Sequence, residues 1–273
     1  MTPLRLEAPA KLNLSLRVVG RRDDGLHLLD SDLVLLELAD ELLLLPGCSG
    51  LRVSGEGASD VPPDATNLAW RGLLAALGRE PEMACLALEK RIPAAAGLGG
   101  GSSDAAAAWR LGRAWRGLAD RPTTEELGEL ASIGADVPFL AAGLAAGRVT
   151  GIGQRVEEAT PLDAHVVLAH PPFGLSTAVV FGELRPDEWG TLENDLLAPA
   201  RRLHPEIDDV LATVAGAGGR PRLSGSGPTV FSLADDAEQA ADIGAGIERG
   251  GIRATITRTR TRPAGIRAID EEE

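Results

Sequence analysis

The segment that most constrains this chain is a run of small residues, Gly97-Leu98-Gly99-Gly100-Gly101-Ser102-Ser103. Alternating apolar residues predict a strand before it, at Cys85–Ile92, and the alanine-rich stretch Asp104–Leu118 predicts a closely packed helix after it. Because glycine lacks a Cβ, the backbone between such elements can turn tightly and direct successive N–H groups at one anion. The positive end of the following helix adds to that attraction. We therefore interpret the run as a phosphate-binding loop, to which Ser102 and Ser103 can add hydroxyl groups.

The loop matches neither of the two common glycine patterns that bind nucleotides. No Gly-Lys-Ser or Gly-Lys-Thr ends it, as a P-loop requires. Its glycine spacing also differs from that of the dinucleotide-binding fingerprint, and no ribose-binding acid follows at a suitable distance. Taken alone, the run could still be a tightly packed turn. The predicted strand before it and helix after it favour the phosphate-binding interpretation.

The charge balance limits the classes of partner. The 273 residues carry a formal net charge of −13, which argues against a nucleic-acid partner because a phosphate backbone must be neutralised by Lys and Arg. An anionic small molecule needs only a local group of donors. The chain uses arginine for nearly all its basic positions, and Lys11 and Lys90 are its only lysines. Each lysine of this chain is therefore a stronger candidate for a specific role than a lysine in most sequences.

The cysteines and the apolar segments predict a cytoplasmic protein. Cys48 and Cys85 lack metal-binding spacing and lie in unrelated contexts, so we expect neither a disulfide framework nor a zinc site. The N-terminus lacks the apolar core of a signal peptide. The most apolar stretch, Leu33–Leu45, is interrupted by three acidic residues and is interpreted as two strands, Leu33–Leu38 and Leu42–Leu45, rather than a membrane span.

Hydrophobic periodicity predicts an α+β fold, because strands and helices do not alternate regularly. Further helices are expected around Leu68–Leu77, capped by Asp64 or Thr66, and after the capping box formed by Thr123 or Thr124 with Glu126. A soft domain boundary is expected near 157–163, which divides the chain into 1–158 and 159–273. The other predicted elements are strands at Leu4–Val19, Leu51–Val53, Val166–Ala169 and Ile252–Thr261, hairpins at Gly143–Val156 and Pro221–Leu233, helices at Leu192–Leu203, Pro205–Val214 and Asp236–Arg249, and a solvated, disordered tail at Asp270–Glu273.

Three other segments contain candidate functional groups. Lys11 and Asn13 are two residues apart on a predicted strand, and so lie on the same face. Asp136 follows a predicted helix among apolar neighbours that would partly desolvate it. The segment Leu223–Pro228 is a second glycine turn between strands, and we call it the late glycine turn. Each has an ordinary structural explanation when it is considered alone: an edge charge, a capping residue and a turn.

Together these segments resemble the GHMP kinases, and within them most closely the 4-diphosphocytidyl-2-C-methyl-D-erythritol kinase family. The resemblance spans most of the chain in the family's order. The resemblance is narrowed from the superfamily to this family by two segments, Gly20–His27 and Lys90–Pro93. The segments that carry it are Pro9–Asn13, Gly20–His27, Lys90–Ser103, Gly134–Pro138, Asn194-Asp195 and Leu223–Gly227. The resemblance implies a two-domain GHMP-kinase fold, with an S5 domain 2-like N-terminal domain that binds ATP and a ferredoxin-like C-terminal domain that contributes to the substrate site.

The resemblance also implies roles for individual residues. Asp136 resembles the base that accepts the substrate hydroxyl proton, and Lys11 resembles its charged partner. Magnesium is implied together with ATP, but no residue is assigned as a metal ligand. The residues implied in ATP binding are Pro93, Ala94, Ala95, Ala96, Gly97, Leu98, Gly99, Gly100, Gly101, Ser102 and Ser103.

The implied substrate, 4-CDP-2-C-methyl-D-erythritol, carries a cytosine. The family pattern places an aromatic sandwich and a histidine at Leu26, Phe181 and His27, with Asn13 and Thr177 as polar contacts. This chain departs from the pattern at Leu26, where the family usually has tyrosine, and it contains no tyrosine at all. Phe181 can stack on one face of the base, whereas Leu26 offers only dispersion and buried area on the other.

Two alternatives stay open at this point. One is another GHMP kinase that acts on homoserine, mevalonate or a sugar, although Gly20–His27 has no evident purpose without a cytidine. The other is a non-catalytic nucleotide-binding regulator, for which the retained pair Lys11 and Asp136 would have little use. The expected partner is a small molecule, with no nucleic acid and no membrane, and the chain is expected to be a monomer or a homodimer.

Overall fold

The computed structural model describes residues 2–79, 81 and 83–269 of the chain. The predicted tail Asp270–Glu273 lies outside the described residues. The strands are β1 (Leu4–Arg21), β2 (His27–Pro46), β3 (Gly50–Gly55), β4 (Ala84–Lys90), β5 (Ala146–Gly151), β6 (Arg155–Glu158), β7 (His165–His170), β8 (Arg222–Leu223), β9 (Val230–Ala234), β10 (Arg253–Arg258) and β11 (Arg267–Ala268). The helices are α1 (Leu68–Leu77), α2 (Gly100–Trp115), α3 (Thr124–Ala131), α4 (Val137–Ala141), α5 (Thr177–Glu183), α6 (Leu197–Leu203), α7 (Ile207–Gly216) and α8 (Ala237–Arg249).

The strands form two sheets, and their order confirms the predicted α+β class. The first sheet runs β11-β1-β2-β4-β3, and β2 also pairs with β5, which continues to β6. All its pairs are antiparallel except β3 with β4. The second sheet is antiparallel in the order β10-β7-β9-β8. The chain passes between the sheets after Glu158 and before His165, near the predicted boundary.

The two sheets are the inner layers of the molecule and helices cover them outside. Apolar residues of β2 and β4 pack against α1 and α2 on one side of the first sheet. On its other side, Leu12 and Leu36 pack against Leu168 and Phe231 of the second sheet. The second sheet in turn packs against α7 and α8. α1 and α2 cross closely at Gly72, where an added Cβ would lie 2.1 Å from the Ala105 carbonyl oxygen.

A bulge in β1 changes the face of the sheet on which its side chains lie. The register with β2 shifts between Pro9 and Lys11. Before the shift, Ala8 packs on the α1–α2 side, whereas after it Leu12 packs against the second sheet. An extra residue in a strand reverses the face on which the following side chains lie. The bulge therefore places Lys11 and Asn13 together on the face opposite Leu12.

Several predicted boundaries are corrected. Leu33–Leu45 is part of the single strand β2, because β1 pairs with both halves of this segment. On the other edge of β2, the first half pairs with β5 and the second half with β4. The cap of α1 is Asn67, whose side-chain oxygen accepts from Ala69 N at 2.8 Å, rather than Asp64 or Thr66. α2 begins at Gly100, four residues before the prediction, and α6 begins later than predicted, at Leu197. The capping box of α3 at Thr123 and Glu126 is confirmed.

The prediction that the cysteines are unpaired is wrong. Cys48 and Cys85 form a disulfide, with their Cα atoms 5.2 Å apart. Cys48 lies in the turn between β2 and β3, and Cys85 on β4 pairs with both Leu45 of β2 and Gly50 of β3. The pairing of the strands brings together two cysteines separated by 37 positions, a proximity that spacing along the sequence does not show. Within the described residues, no helix is long and apolar enough to cross a membrane.

Candidate active site

A cavity of about 420 Å³ opens between the two sheets beside the N-terminus of α2. The glycine loop forms its floor, and Lys11 and Asn13 of β1 reach it from below. The segment that follows β3 forms one end, including Val61 and Asn67. Thr177 and Phe181 of α5 lie on its wall as well. The cavity thus brings together most of the predicted ATP-binding, catalytic and substrate-binding residues.

The glycines of the loop are required by close backbone approaches. Gly97 has a φ of 74° and Gly99 a φ of 70°, in the left-handed region that residues with a Cβ rarely adopt. A Cβ on Gly97 would lie 2.3 Å from the Ser224 carbonyl oxygen, and one on Gly99 would lie 2.8 Å from Lys11 Cγ. The loop therefore fits between the late glycine turn and Lys11 only because these positions lack side chains.

The first turn of α2 presents the donors that the phosphate hypothesis needs. The first bond of the helix runs from Ser103 N to Gly99 O at 2.8 Å, so the N–H groups of Gly100, Gly101 and Ser102 precede the intrahelical ladder. All three residues line the cavity. The positive end of the helix dipole lies at the same place and favours an anion.

Ser103 differs from its predicted role. The residue is buried, and its hydroxyl donates to the Pro9 carbonyl at 2.7 Å. It does not line the cavity, whereas Ser102 does. Ser103 therefore anchors the helix to β1, and Ser102 is the serine available to a ligand. The two neighbours point apart because successive helical positions are separated by about 100° around the helix axis.

Lys11 lies beneath the loop and is only 3% exposed. Its ammonium donates to Asn13 Oδ1 at 2.6 Å and to the Gly97 carbonyl at 3.0 Å. It lies 3.4 Å from Asp136 Oδ2, whose side chain is 31% exposed to the cavity. The prediction that Lys11 and Asn13 share a face is confirmed by their direct contact.

Asp136 is held by the turn between α3 and α4. It is the residue that precedes α4, a helix that the sequence did not predict. The turn packs directly on α2, because a Cβ on Gly134 would lie 3.2 Å from Ser102 Oγ. On its other side, a Cβ on Gly153 would lie 2.1 Å from the Ala135 carbonyl oxygen. Two glycine contacts thus fix the backbone that carries the carboxylate.

A second buried lysine lies at the edge of the same cavity, and sequence reasoning assigned it no role. Lys90 is 3% exposed, and its ammonium contacts Asp40 and, at 2.7 Å, Asp104 Oδ2. Asp40 Oδ1 also accepts from the backbone nitrogens of Arg91 and Ile92 at the start of the glycine loop. The scarcity of lysine was the signal, because both lysines of the chain prove to be buried and paired.

The carboxyl group of Asp104 holds its proton more tightly than an ordinary carboxyl group. Burial raises the pKa of Asp104 to about 8, since Lys90 only partly offsets the loss of water and the Asp40 charge adds to it. Burial alone would lower the pKa of Lys90, but the charges of Asp104 and Asp40 outweigh it and the pKa is raised.

Of the residues predicted to hold a cytosine, Asn13, Thr177 and Phe181 line the cavity, whereas Leu26 and His27 lie outside its lining, where β1 turns into β2. Leu26 is 49% exposed in that turn. The His27 ring stacks on Phe181, with centroids 5.3 Å apart, and meets Trp189 edge-on at 6.0 Å. Burial, with a smaller contribution from the Arg21 charge, lowers the pKa of His27, so the ring is neutral at physiological pH. Trp189 was not predicted, because nothing in its local sequence indicates that it contacts His27.

Asn194 and Asp195 connect the second sheet to β1. Asn194 Nδ2 donates to the carbonyls of Leu223 and Gly225, at 2.9 and 2.8 Å, in the late glycine turn. The Asp195 carboxylate accepts from Val18 N at 2.8 Å and is fully buried. Neither residue lines the cavity, so this part of the family pattern positions the backbone around it.

Family models match both parts of the chain. The model described as GHMP kinases N terminal domain matches residues 67–144, and the model described as GHMP kinases C terminal matches residues 180–252. A 4-diphosphocytidyl-2-C-methyl-D-erythritol kinase of Paramagnetospirillum magneticum is 42% identical, over 90% of this chain and 95% of the relative. The chain belongs to the 4-diphosphocytidyl-2-C-methyl-D-erythritol kinase family. The kinase of that name from Streptomyces coelicolor is 37% identical over 97% of this chain and 99% of its own.

Solved structures agree with the kinase family and with its fold. A crystal structure of 4-(cytidine 5'-diphospho)-2C-methyl-D-erythritol kinase is 33% identical, with a TM-score of 0.76, and the match covers 93% of this chain and 98% of that chain. Homoserine kinase from Cytophaga hutchinsonii, at 18% identity and a TM-score of 0.68 over 98% of both chains, shares the fold. The predicted resemblance and the two-domain GHMP-kinase fold are therefore confirmed.

Proposed function

We propose that this member of the kinase family transfers the γ-phosphoryl group of ATP to the 2-hydroxyl of 4-CDP-2-C-methyl-D-erythritol, in the non-mevalonate route to isoprenoid precursors. The observation that carries the proposal is the Lys11–Asp136 pair, 3.4 Å apart, beside the first turn of α2 in one cavity. Relatives that cover nearly the whole chain carry the name of this kinase.

The phosphates of ATP are expected on the glycine loop. The N–H groups of Gly100, Gly101 and Ser102 would donate to them, and the helix dipole adds a favourable field. The nucleoside would extend toward the segment after β3, where Val61, Pro62 and Asn67 line the cavity. Pro93 to Gly99 complete the floor beneath the phosphates.

Asp136 would accept the proton of the substrate hydroxyl. A carboxylate is a weak base, so it helps mainly late in phosphoryl transfer, when the hydroxyl proton becomes acidic. Lys11 can offset the charge that develops on the attacking oxygen. General-base assistance of about 10²–10⁴-fold corresponds to roughly 3–5 kcal/mol. Most of the acceleration must then come from positioning and from neutralising phosphate charge.

The donor set of the cavity fits a magnesium ion carried in by ATP. Among the described residues, no group of three His, Cys, Asp or Glu side chains could hold a metal alone. Magnesium commonly binds substrate phosphates, several waters and only one or two protein oxygens. Ser102 Oγ and the Asp136 carboxylate are the protein oxygens beside the first turn of α2 that could hold it. Such an ion would supply positive charge that neutralises the phosphate groups.

The cytidyl end of the substrate would occupy the region of His27, Phe181 and Thr177. A neutral imidazole offers one donor and one acceptor, which suits the edge of a cytosine. Thr177 Oγ1 lies 2.9 Å from Ser226 Oγ, so this hydroxyl is oriented by the late glycine turn. Leu26, half-exposed at the tip of its turn, would cover the base by dispersion alone.

We further propose that 1–158 and 159–273 act as the ATP-binding and substrate-binding parts, and that the protein is a monomer or homodimer in the cytoplasm, where ATP is supplied. The cytoplasmic proposal no longer draws support from the cysteines, because Cys48 and Cys85 are paired and disulfides are rare in that compartment. It rests on the ATP requirement of the reaction.

The deciding experiment is a turnover assay with the cytidyl substrate, ATP and magnesium, in which ADP and phosphorylated product are measured. Homoserine, mevalonate and a sugar are tested in parallel. We expect product with the cytidyl substrate alone and competitive inhibition by CMP. A folded protein that binds ATP but forms no product in any assay would instead be a nucleotide-binding regulator.

A further inference from the structure

A second cavity, of about 110 Å³, lies where the end of the chain returns to the first sheet. It is bordered by Arg5 and Glu7 of β1 and by the returning segment Arg260–Arg267. None of the residues that line it lines the active-site cavity. Nothing in the kinase reaction requires it.

The cavity concentrates positive charge in an acidic protein. Three arginines line it, Arg5, Arg260 and Arg267, whereas the whole chain carries −13. Arg5 pairs with Glu41, and Arg260 donates to Glu7 at 2.9 Å and to the Leu36 carbonyl at 2.8 Å. In the part of the chain that the structure describes, no carboxylate forms an ion pair with Arg267. Within the described residues, the charge of Arg267 is therefore left without a counter-charge.

The position of that charge is unfavourable without a ligand. Arg267 of β11 is directly opposite Arg5 of β1 in the antiparallel register. Side chains at directly opposite positions lie on the same face, with their Cβ atoms about 4.5–5.5 Å apart, and like charges there are destabilising. Glu41 offsets the charge of Arg5, and an anion bound beside Arg267 would offset the remaining repulsion.

A fourth arginine, Arg110, lines a neighbouring space rather than the cavity itself. A small adjoining space of about 10 Å³ shares Leu6, Glu7, Pro263 and Ala264 with it and is lined by Arg110. Arg110 is only 7% exposed, and its Nη atoms donate to Ala264 O at 3.0 Å and to Asp120 at 2.6 Å. Its Nε has no hydrogen-bond partner among the described residues. A buried donor of this kind is normally satisfied, and the space beside it has room for about one water molecule.

We infer that the cavity binds a small phosphate-class oxyanion between Arg5, Arg260 and Arg267. Guanidinium groups bind phosphate through paired, charge-assisted hydrogen bonds. Because a water molecule occupies about 30 Å³ of liquid, 110 Å³ holds a single phosphate group but not a whole nucleotide, whose pockets span about 300–1,000 Å³. The bound anion bridges β1 and β11 and fastens the end of the chain to the first sheet.

The test is calorimetric titration of the full chain with inorganic phosphate and with glycerol 3-phosphate. A saturating non-hydrolysable ATP analogue occupies the glycine loop, so that binding there does not interfere. We expect Arg267→Gln to weaken anion binding at least tenfold. The matched control is Arg262→Gln, which removes the same charge from an exposed position on the same segment that does not line the cavity. It should change the affinity less than twofold.

A thermal melt checks that the variants fold. In phosphate-free buffer, Arg267→Gln should melt no lower than the parent, because the substitution removes the repulsion between Arg267 and Arg5. When phosphate is added, only the parent and Arg262→Gln should gain stability. Tighter binding of glycerol 3-phosphate would identify an ester as the ligand, and tighter binding of inorganic phosphate the free ion.

Four acidic residues, Asp270–Glu273, follow Ile269 in the sequence, and their negative charge would compete with an added anion. A chain that ends at Ile269 should therefore bind phosphate at least as tightly as the full chain. The inference is overturned if this shortened chain binds no phosphate, or if Arg262→Gln and Arg267→Gln lose equal affinity.

Discussion

Asp136 is the residue on which the proposed phosphoryl transfer depends most directly. Asp136→Asn keeps the shape of the side chain but removes the base that lies 3.4 Å from Lys11 Nζ. We expect kcat to fall by about 10²–10⁴-fold while ATP affinity changes little, since the phosphates are held by the loop. Steady-state kinetics and an ATP titration measure the two effects.

Asp60→Asn is the control for this substitution. Asp60 lines the same cavity, and its carboxylate accepts a hydrogen bond from Ser59 Oγ rather than contacting Lys11. It should retain kcat within a few fold. A loss of less than about tenfold in Asp136→Asn would show that Asp136 is not the base.

Asp104 makes stability depend on pH in an unusual direction. Its folded-state pKa is raised to about 8, so the folded protein binds more protons than the unfolded chain between about pH 4 and pH 8. The stabilising contribution of the protonated group is therefore lost as the pH rises through that window. Asp104→Asn, which mimics the protonated carboxyl, should remove this loss and be more stable than the parent at pH 9 by ~1–2 kcal/mol.

Denaturant unfolding of both proteins at pH 5 and pH 9 tests this prediction. Asp40→Asn is the contrasting variant, because Asp40 accepts two backbone N–H groups as well as Lys90. It should destabilise the protein at both pH values. A parent that gains stability relative to Asp104→Asn on going to pH 9 would exclude a protonated Asp104.

Trp189 is expected to position His27 for the cytidyl substrate. Trp189→Leu removes the ring that meets His27 edge-on, so the KM for this substrate should rise several-fold while kcat and the KM for ATP stay nearly constant. Because burial lowers the pKa of His27, the substrate KM of the parent should be flat above pH 7 and rise only in acid, as the ring protonates. In the variant this rise should begin at higher pH.

An NMR titration of the His27 ring checks the same effect without turnover. Trp189→Phe keeps an aromatic contact and should restore most of the lost affinity. An unchanged pKa and an unchanged KM in Trp189→Leu would assign Trp189 to packing alone.

At the scale of elements, the junction of the glycine loop with α2 is the most constrained part of the fold. Gly97→Ala places a Cβ 2.3 Å from the Ser224 carbonyl oxygen and also imposes a positive φ on alanine. We expect the KM for ATP to rise at least tenfold, because the loop must move away from the late glycine turn.

Gly117→Ala separates the two costs of that substitution. Gly117 also has a φ of 70°, but an added Cβ there meets nothing within 4 Å. Both variants should lose about 1–2 kcal/mol of stability from the backbone strain, and only Gly97→Ala should lose ATP affinity. Equal kinetic effects would mean that strain, rather than the contact with Ser224, controls the loop.

At the scale of the whole molecule, the end of the chain ties the two sheets together. After β10, Arg260 N donates to Leu35 O at 2.8 Å, and Ile269 N donates to Pro3 O at 3.0 Å. Ala264 and Ile266 pack into the core between the first sheet and its helices. The predicted division at 158 and 159 remains a proposal, and in any such division this segment rejoins the N-terminal part.

Ending the chain at Arg262 should lower the free energy of unfolding by roughly 2–4 kcal/mol, because two apolar side chains and the pairing of β11 are lost. A chain that ends at Ile269 is the control and keeps every contact described above. Denaturant unfolding of the two chains gives the comparison. Equal stability would show that the segment contributes no net binding energy to the first sheet.

The sequence by itself determined the features that depend on neighbouring residues. The strand before the glycine loop, the helix after it, the capping box of α3 and the shared face of Lys11 and Asn13 follow from periodicity and local hydrogen bonding, which act over a few positions. The ordered segments of the family pattern supplied the remaining assignments, and the relatives confirm the family that they indicate.

Only the tertiary structure decided which distant residues meet. The disulfide depends on β4 pairing with two strands, and the raised pKa of Asp104 depends on its burial. The contact of Trp189 with His27 depends on the packing of segments that are far apart in the sequence. α2 begins at Gly100 rather than Asp104 because glycines with no helical preference of their own are held by β1 and the late glycine turn. Contacts between residues far apart in sequence leave no periodic signal, and burial that shifts a pKa exists only once the chain has folded.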